Sequence, residues 1–274
     1  MKIGMFTSGY DWSPIEHAFK DCVRFGYDYI ELYGSRPHAY APDLVRGEAE
    51  GILRLMNQYQ VTIPIYTPEH NLYAHNFMLG TEAQWEDTIS YLKICMDAAE
   101  RIGAGSMLVS VARGEYLATT RELWERLEKT MRVLTAYAEK KRIRLIVETL
   151  TPYESNFFTR ANDLVELFER IDSPYLAGMC DVVPPFVEYE NALSYLDKLG
   201  EKLVHIHFID GKQGTDAHLI PGEGEIPLKE MLAEFTEAGY NGTMTLELVG
   251  AYMNEPRLYT RKAIGRFREL QERK

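Results

Sequence analysis

A chain of 274 residues, 46% hydrophobic and with a formal net charge of -11, can bury a sizeable core. Its Lys and Arg residues are scattered, so no basic patch exists to displace the counterions of a nucleic acid. No apolar run reaches the roughly 18 residues of a membrane span. Cys22, Cys95 and Cys180 are widely spaced without a CxxC pair, and MKIGMFTSGYDW lacks the apolar stretch of a secretory leader. The expectation is a cytoplasmic protein with reduced thiols, and with neither nucleic acid nor membrane as partner.

KIGMFTS (2–8) predicts the first strand, and Ser13-Pro14-Ile15-Glu16 then has the form of a capping box with Pro at the first helical position. YIELYG (29–34), VTIPIYT (61–67) and SMLVSVA (106–112) predict three more strands. In TTRELWERLEKTMRVLTAYAEKK, residues Leu123, Leu127, Met131 and Leu134 recur three or four apart and form one apolar stripe of a helix. IRLIVETL (143–150) follows as a strand, Leu164, Leu167, Phe168 and Ile171 as a helical stripe, and LAGMCDV (176–182) as the sixth strand. LVHIHFID (203–210), a stripe of Leu228, Met231, Leu232 and Phe235, and GTMTLELV (242–249) complete the alternation. A last helix from about Pro256 turns Ala263, Ile264, Phe267 and Leu270 inward, while Gly26, Gly103 and Gly239 stand where left-handed helix caps are needed.

Most of these strands are almost continuously apolar, as parallel strands covered by helices must be. Eight of them, each followed by a helix or a loop long enough to hold one, predict an α/β protein. Its architecture is a single (β/α)8 TIM barrel spanning residues 1–274. The open doubly wound sheet is the alternative, but TSGYDWSP has one glycine and does not match GxGxxG.

In such a barrel the chemistry sits at the C-terminal ends of the strands. Four consecutive strands end on metal-capable groups: Glu148 in LIVE, Asp181 in GMCD, His207 in VHIH and Glu247 in MTLE. A single carboxylate there is ordinarily a cap or a salt-bridge partner. Three aimed at one mouth repel one another unless a cation joins them. Three carboxylates and an imidazole make a hard set suited to one divalent metal ion, Mn²⁺, Co²⁺, Ni²⁺ or Mg²⁺. His205 shares the inward face with His207 but lies one layer deeper, and Asp210 is a candidate to orient an imidazole. A metal held by a ketone oxygen and a neighbouring hydroxyl acidifies the C–H between them through an enediolate. Glu148 and Glu247 on opposite sides of that carbon would serve as base and acid, giving epimerisation or aldose–ketose isomerisation. Tyr66 and Glu69 after the third strand, and Tyr10 and Trp12 after the first, are candidates to line the pocket.

Taken in this order, the four residues resemble the sugar isomerase and epimerase superfamily with the xylose-isomerase-like barrel, along the whole chain. The resemblance implies a metal site at Glu148, Asp181, His207 and Glu247, with the two glutamates as both ligands and proton-transfer groups, and Glu154 as a substrate-binding carboxylate. RPHAYAPDL (36–44), LTPYESN (150–156), YLDKLGEKLVHIH (195–207), IPGEG (220–224) and YMNEPRLY (252–259) look like the fructoselysine 3-epimerases, a family that interconverts fructoselysine and its C3 epimer psicoselysine. The resemblance thus implies a small sugar derivative as substrate. Free-ketose 3-epimerases, hydroxypyruvate isomerases and inosose dehydratases share the barrel and are the alternatives. An abasic-site endonuclease would need further metal ligands and a basic face. Two features depart from the free-sugar epimerases: DVVPPF replaces a histidine after the sixth strand, and Gln213 stands where they carry an arginine. His218 is the candidate to take over a sugar contact. Barrels of this kind self-associate, so a homo-oligomer is expected, with YMNEPRLY a candidate for the contact.

Overall fold

Strands that are apolar on both faces need helices outside and their own inner faces packed together inside. In the computed structural model, which describes residues 1–72 and 74–272, closure of the sheet meets both needs. β1 (Lys2–Phe6), β2 (Tyr29–Gly34), β3 (Ile65–Pro68), β4 (Ser106–Ser110), β5 (Arg144–Glu148), β6 (Leu176–Asp181), β7 (Leu203–His207) and β8 (Thr243–Leu246) pair in chain order. All pairs are parallel, and β8 returns to β1 with Lys2 opposite Thr243. The helices that cover them are α1 (Ile15–Phe25), α2 (Ala49–Tyr59), α3 (Glu82–Ile102), α4 (Thr120–Lys141), α5 (Ala161–Arg170), α6 (Leu193–Leu199), α7 (Leu228–Glu237) and α8 (Pro256–Glu272). The expected stripes face the strands: Leu123, Leu127, Met131 and Leu134 on α4, and Ala263, Ile264 and Phe267 on α8, are all buried in the main core. No described helix is long and apolar enough to cross a membrane.

The capping box expected at Ser13 does not form. Pro14 itself occupies the N-cap, which leaves Ser13 one residue too early to reach the first turn. Glu16 instead accepts from Tyr59 Oη at 2.6 Å and pairs with Lys20 at 3.1 Å. Complete boxes stand at Thr81–Gln84 before α3 and Thr119–Glu122 before α4. Gly26 and Gly103 cap α1 and α3 in the left-handed conformation at φ 72° and 75°.

Period-two alternation sorts each strand into outward and inward side chains. Ile65, Leu108, Ile146 and Met179, from β3 to β6, form an inner apolar cluster separate from the helix-facing core. Across the barrel the interior is polar. Tyr29 lies over Gly4, where a Cβ would stand 2.2 Å from its ring, and its hydroxyl donates to the Met244 carbonyl at 2.7 Å. Above it, Glu31 meets His205 and His207. One end of the barrel thereby carries a buried polar network directly beneath the mouth.

Candidate active site

The same alternation that turns Ile146 inward turns Glu148 inward two residues later, at the end of β5. Ser110 is its register partner on β4, and Ser110 Oγ donates to Glu148 Oε2 at 2.8 Å. Asp181 and His207 are register partners across β6 and β7, and His207 pairs in turn with Thr245 on β8. Glu247, two residues past Thr245 and just beyond the strand, returns to the same face. All three carboxylates converge on one atom: His207 Nδ1 lies 3.1 Å from Glu247 Oε2, 3.4 Å from Glu148 Oε1 and 4.0 Å from Asp181 Oδ2. His218, from the loop after β7, lies with its Nδ1 3.0 Å from Glu247 Oε2.

The loop that delivers His218 is pinned from behind. Asp210 accepts from the backbone N–H groups of Gly211, Gly222, Gly224 and Ile226 at 2.8 to 3.0 Å. Asp210 therefore does not orient an imidazole, contrary to the expectation from its position. Four backbone donors saturate the carboxylate. The imidazole partner is Glu31 of β2, whose Oε1 and Oε2 lie 3.2 Å from His207 Nε2 and 3.0 Å from His205 Nε2.

Charge and burial oppose each other throughout. Burial, countered by His218 and reinforced by Glu247 and Glu148, pushes the Asp181 carboxyl up to about 7. Burial also disfavours the charge of Glu247, but His207 and His218 beside it hold its carboxyl well below the usual range. Glu31 behaves likewise: it is wholly buried, yet the two imidazoles keep it ionised. His218 resists burial through Glu247 and is raised to about 10. Partial burial and the nearby charges of Asp216 and Glu148 push the Glu154 carboxyl up to about 8.

A divalent cation fits this donor set. His207 Nδ1, His218 Nδ1 and Glu247 Oε2 are buried and lack hydrogen-bond partners even though they crowd together. The close atoms are thus aimed at a common point rather than at one another. Ligand atoms of Glu148, Asp181 and His207 lie within 4.8 Å of one another, as do those of Asp181, His218 and Glu247. A cation there would supply the positive charge that two buried carboxylates and the half-buried Glu247 require.

Glu148, Asp181, His207, Glu247, Glu154 and His218 all line one cavity of about 370 Å³ at the mouth. Tyr66 does not. Ile65 takes the inward register on β3, so Tyr66 points into the helix-facing core, fully buried, with its hydroxyl donating to the Ala39 carbonyl at 2.8 Å. Tyr10 is also buried, between Asp21 and Thr260, and Trp12 is 75% exposed outside the cavity lining. Glu69 does reach the cavity. Gln213 donates to the Phe186 carbonyl, which ties its loop to the short helix Val183–Val187. Ser110, Asp216 and Glu31 went unrecognised in the sequence. Of these only Glu31 left a signal, a charge in the inward register of the apolar run YIELYG.

Parallel strands that deliver carboxylates and imidazoles to one mouth define an enzyme of the (β/α)8-barrel class, and residues 19–270 match the xylose isomerase-like TIM barrel family. Over 270 residues the chain is 47% identical to fructoselysine 3-epimerase of Escherichia coli and 46% identical to that of Shigella flexneri, with 98% of each chain covered. The chain belongs to the xylose isomerase-like TIM barrels and, within them, to the family of the fructoselysine 3-epimerases. The solved structure of a D-tagatose 3-epimerase-like protein superposes with a TM-score of 0.82 at 20% identity, covering 99% of this chain and 97% of that one, and so shares the fold.

Proposed function

We propose that the protein is a divalent-metal-dependent 3-epimerase that interconverts fructoselysine and psicoselysine. The observation that carries this reading is the placement of Glu148 and Glu247 around His207 Nδ1, at 3.4 and 3.1 Å, within a cavity that admits a small ligand. Glu148, Asp181, His207 and Glu247 would hold the ion, Mn²⁺, Co²⁺, Ni²⁺ or Mg²⁺. When bound it supplies Lewis-acid stabilisation of the negative charge that develops on the ketose oxygens as the C3 proton leaves.

The protein's own groups do the rest. One of the two glutamates takes the C3 proton and the other returns a proton to the opposite face, which inverts the centre. Ser110 Oγ holds Glu148 Oε2 at 2.8 Å and so fixes which carboxylate oxygen faces the substrate. His218, on the cavity wall beside Glu247, is placed to contact a sugar hydroxyl. Glu154 holds a sugar hydroxyl at the rim. Asp11, Glu69 and Asp216 add further carboxylates, and neither Lys nor Arg occurs among the described lining residues. That imbalance supports a substrate of net positive charge, as fructoselysine is through the secondary ammonium that joins its sugar to lysine, over a neutral free ketose. The whole chain acts as one barrel domain, in the cytoplasm and as a homo-oligomer, on a small sugar derivative rather than on nucleic acid or membrane.

Incubation with Mn²⁺ in D₂O tests the reading, with fructoselysine, psicoselysine and free ketoses as substrates. Deuterium at C3 of the lysine-linked ketose, with neither aldose formed nor water lost, is expected; aldose formation would refute it. Glu148→Gln and Glu247→Gln should each lower turnover by about a hundredfold or more. Full activity in either variant removes that residue from its role.

A further inference from the structure

Glu31 is a carboxylate inside the barrel that the reaction does not touch. It is 0% exposed and lies outside the cavity lining. Its Oε1 accepts from Thr67 Oγ1 at 2.6 Å and lies 3.2 Å from His207 Nε2. Its Oε2 lies 3.0 Å from His205 Nε2, and His205 Nδ1 is 2.8 Å from Thr243 Oγ1. Four strands therefore hold the carboxylate: β2 carries it, and β3, β7 and β8 tether it directly or through His205.

An ionised carboxylate can only accept hydrogen bonds, so each imidazole must present an N–H at Nε2. For His207 this has a consequence on the other side of the ring. A neutral imidazole with its proton at Nε2 has a lone pair at Nδ1, the atom that faces Glu148, Asp181 and Glu247. The opposite tautomer would aim an Nδ1–H at those carboxylates, an arrangement they favour and one that excludes a metal. We propose that Glu31 is a positioning residue that fixes His207 in the Nε2–H tautomer and so makes Nδ1 the metal-binding atom. This rests on the metal site proposed above. His205 does not reach the metal-binding atoms; by bonding the second oxygen it keeps the carboxylate from rotating away from His207.

Glu31→Gln is nearly isosteric but can offer an amide N–H to His207 Nε2, which releases the ring to the other tautomer. Calorimetric titration of Mn²⁺ into metal-stripped protein should show a dissociation constant raised tenfold to a hundredfold, the order expected for loss of a residue that orients a ligand. An unchanged constant overturns the assignment while leaving the metal site standing. Wild-type protein that binds no Mn²⁺ overturns the metal site and the assignment together. A second measurement does not depend on the variant folding. In ¹⁵N-histidine-labelled wild-type protein with Mg²⁺, His207 should be protonated at Nε2 and unprotonated at Nδ1. The reverse pattern refutes the proposal.

Discussion

His70 links the stability of the barrel rim to the pH of the medium. The ring is buried between the ends of β3 and β4 with one edge on the cavity wall, and its two partners dictate its state. The Ser110 N–H, which can only donate, lies 3.0 Å from Nε2, and the Pro68 carbonyl, which can only accept, lies 2.9 Å from Nδ1. His70 is therefore neutral with its proton on Nδ1. A second proton would set Nε2–H against the Ser110 N–H at a position largely shielded from water. Burial, partly offset by the Pro68 and Ser110 contacts, lowers its pKa from 6.5 to about 4. Because the folded value is depressed, the unfolded chain binds the proton more tightly, so the contribution is intact above about pH 6.5. It is lost as pH falls towards 4. At about 1.4 kcal/mol per pKa unit, that window corresponds to about 3 kcal/mol. Urea denaturation of the wild type and of His70→Gln, which keeps an acceptor near the Nε2 position but does not titrate, isolates the effect from the other carboxyls of the mouth. The difference in stability between the two proteins should change by about 3 kcal/mol in favour of the variant between about pH 7 and about pH 4. A difference that stays flat refutes the neutral, buried assignment. The same loss should reach the site, because Ser110 also holds Glu148.

Gly4→Ala places a methyl group 2.2 Å from the Tyr29 ring, whose hydroxyl is tied to Met244 and Thr245. A loss of about 1–3 kcal/mol or more in denaturant melts is expected, and unchanged stability would mean that the ring moves aside freely. Glu154→Gln removes a carboxyl raised to about 8 by burial and by Asp216 and Glu148. Folded protein holds that proton more tightly than unfolded protein. The wild type therefore loses stability as pH rises through about 8, and the variant's advantage in melting temperature, metal-free, should grow between about pH 5 and about pH 9. An advantage independent of pH would count against the buried environment. Thr119→Ala breaks the reciprocal cap of α4, in which Thr119 Oγ1 accepts from the Glu122 N–H at 3.3 Å and the Glu122 carboxylate accepts from the Thr119 N–H at 2.8 Å. A decrease of about 1 kcal/mol is expected by chemical denaturation.

The barrel was legible because its evidence is local and repeated. Each apolar run is bounded by a glycine or polar turn, each helix shows its stripe within a few turns, and the strand count is enough to demand closure. The metal-capable residues were legible for a related reason. Barrel geometry sends every strand end to one mouth, so Glu148, Asp181, His207 and Glu247 could be grouped without knowing a distance. Helix starts were read less well, because Ser13-Pro14-Ile15-Glu16 has the letters of a capping box and only the backbone shows that Pro14 takes the cap.

Register and long-range partners were decided by the tertiary structure. Tyr66 and Thr67 are neighbours in sequence, yet one faces the helices and the other bonds to Glu31, since a shift of one residue exchanges the two faces of a strand. Asp210 stands beside the histidines in sequence and serves a loop instead, while Glu31, 176 positions before His207, provides its partner. The sequence by itself determined which chemical groups are available and that a barrel would gather them. Only closure, which brings β2 within reach of β7, decided which carboxylates face the mouth and which one holds the imidazole from below.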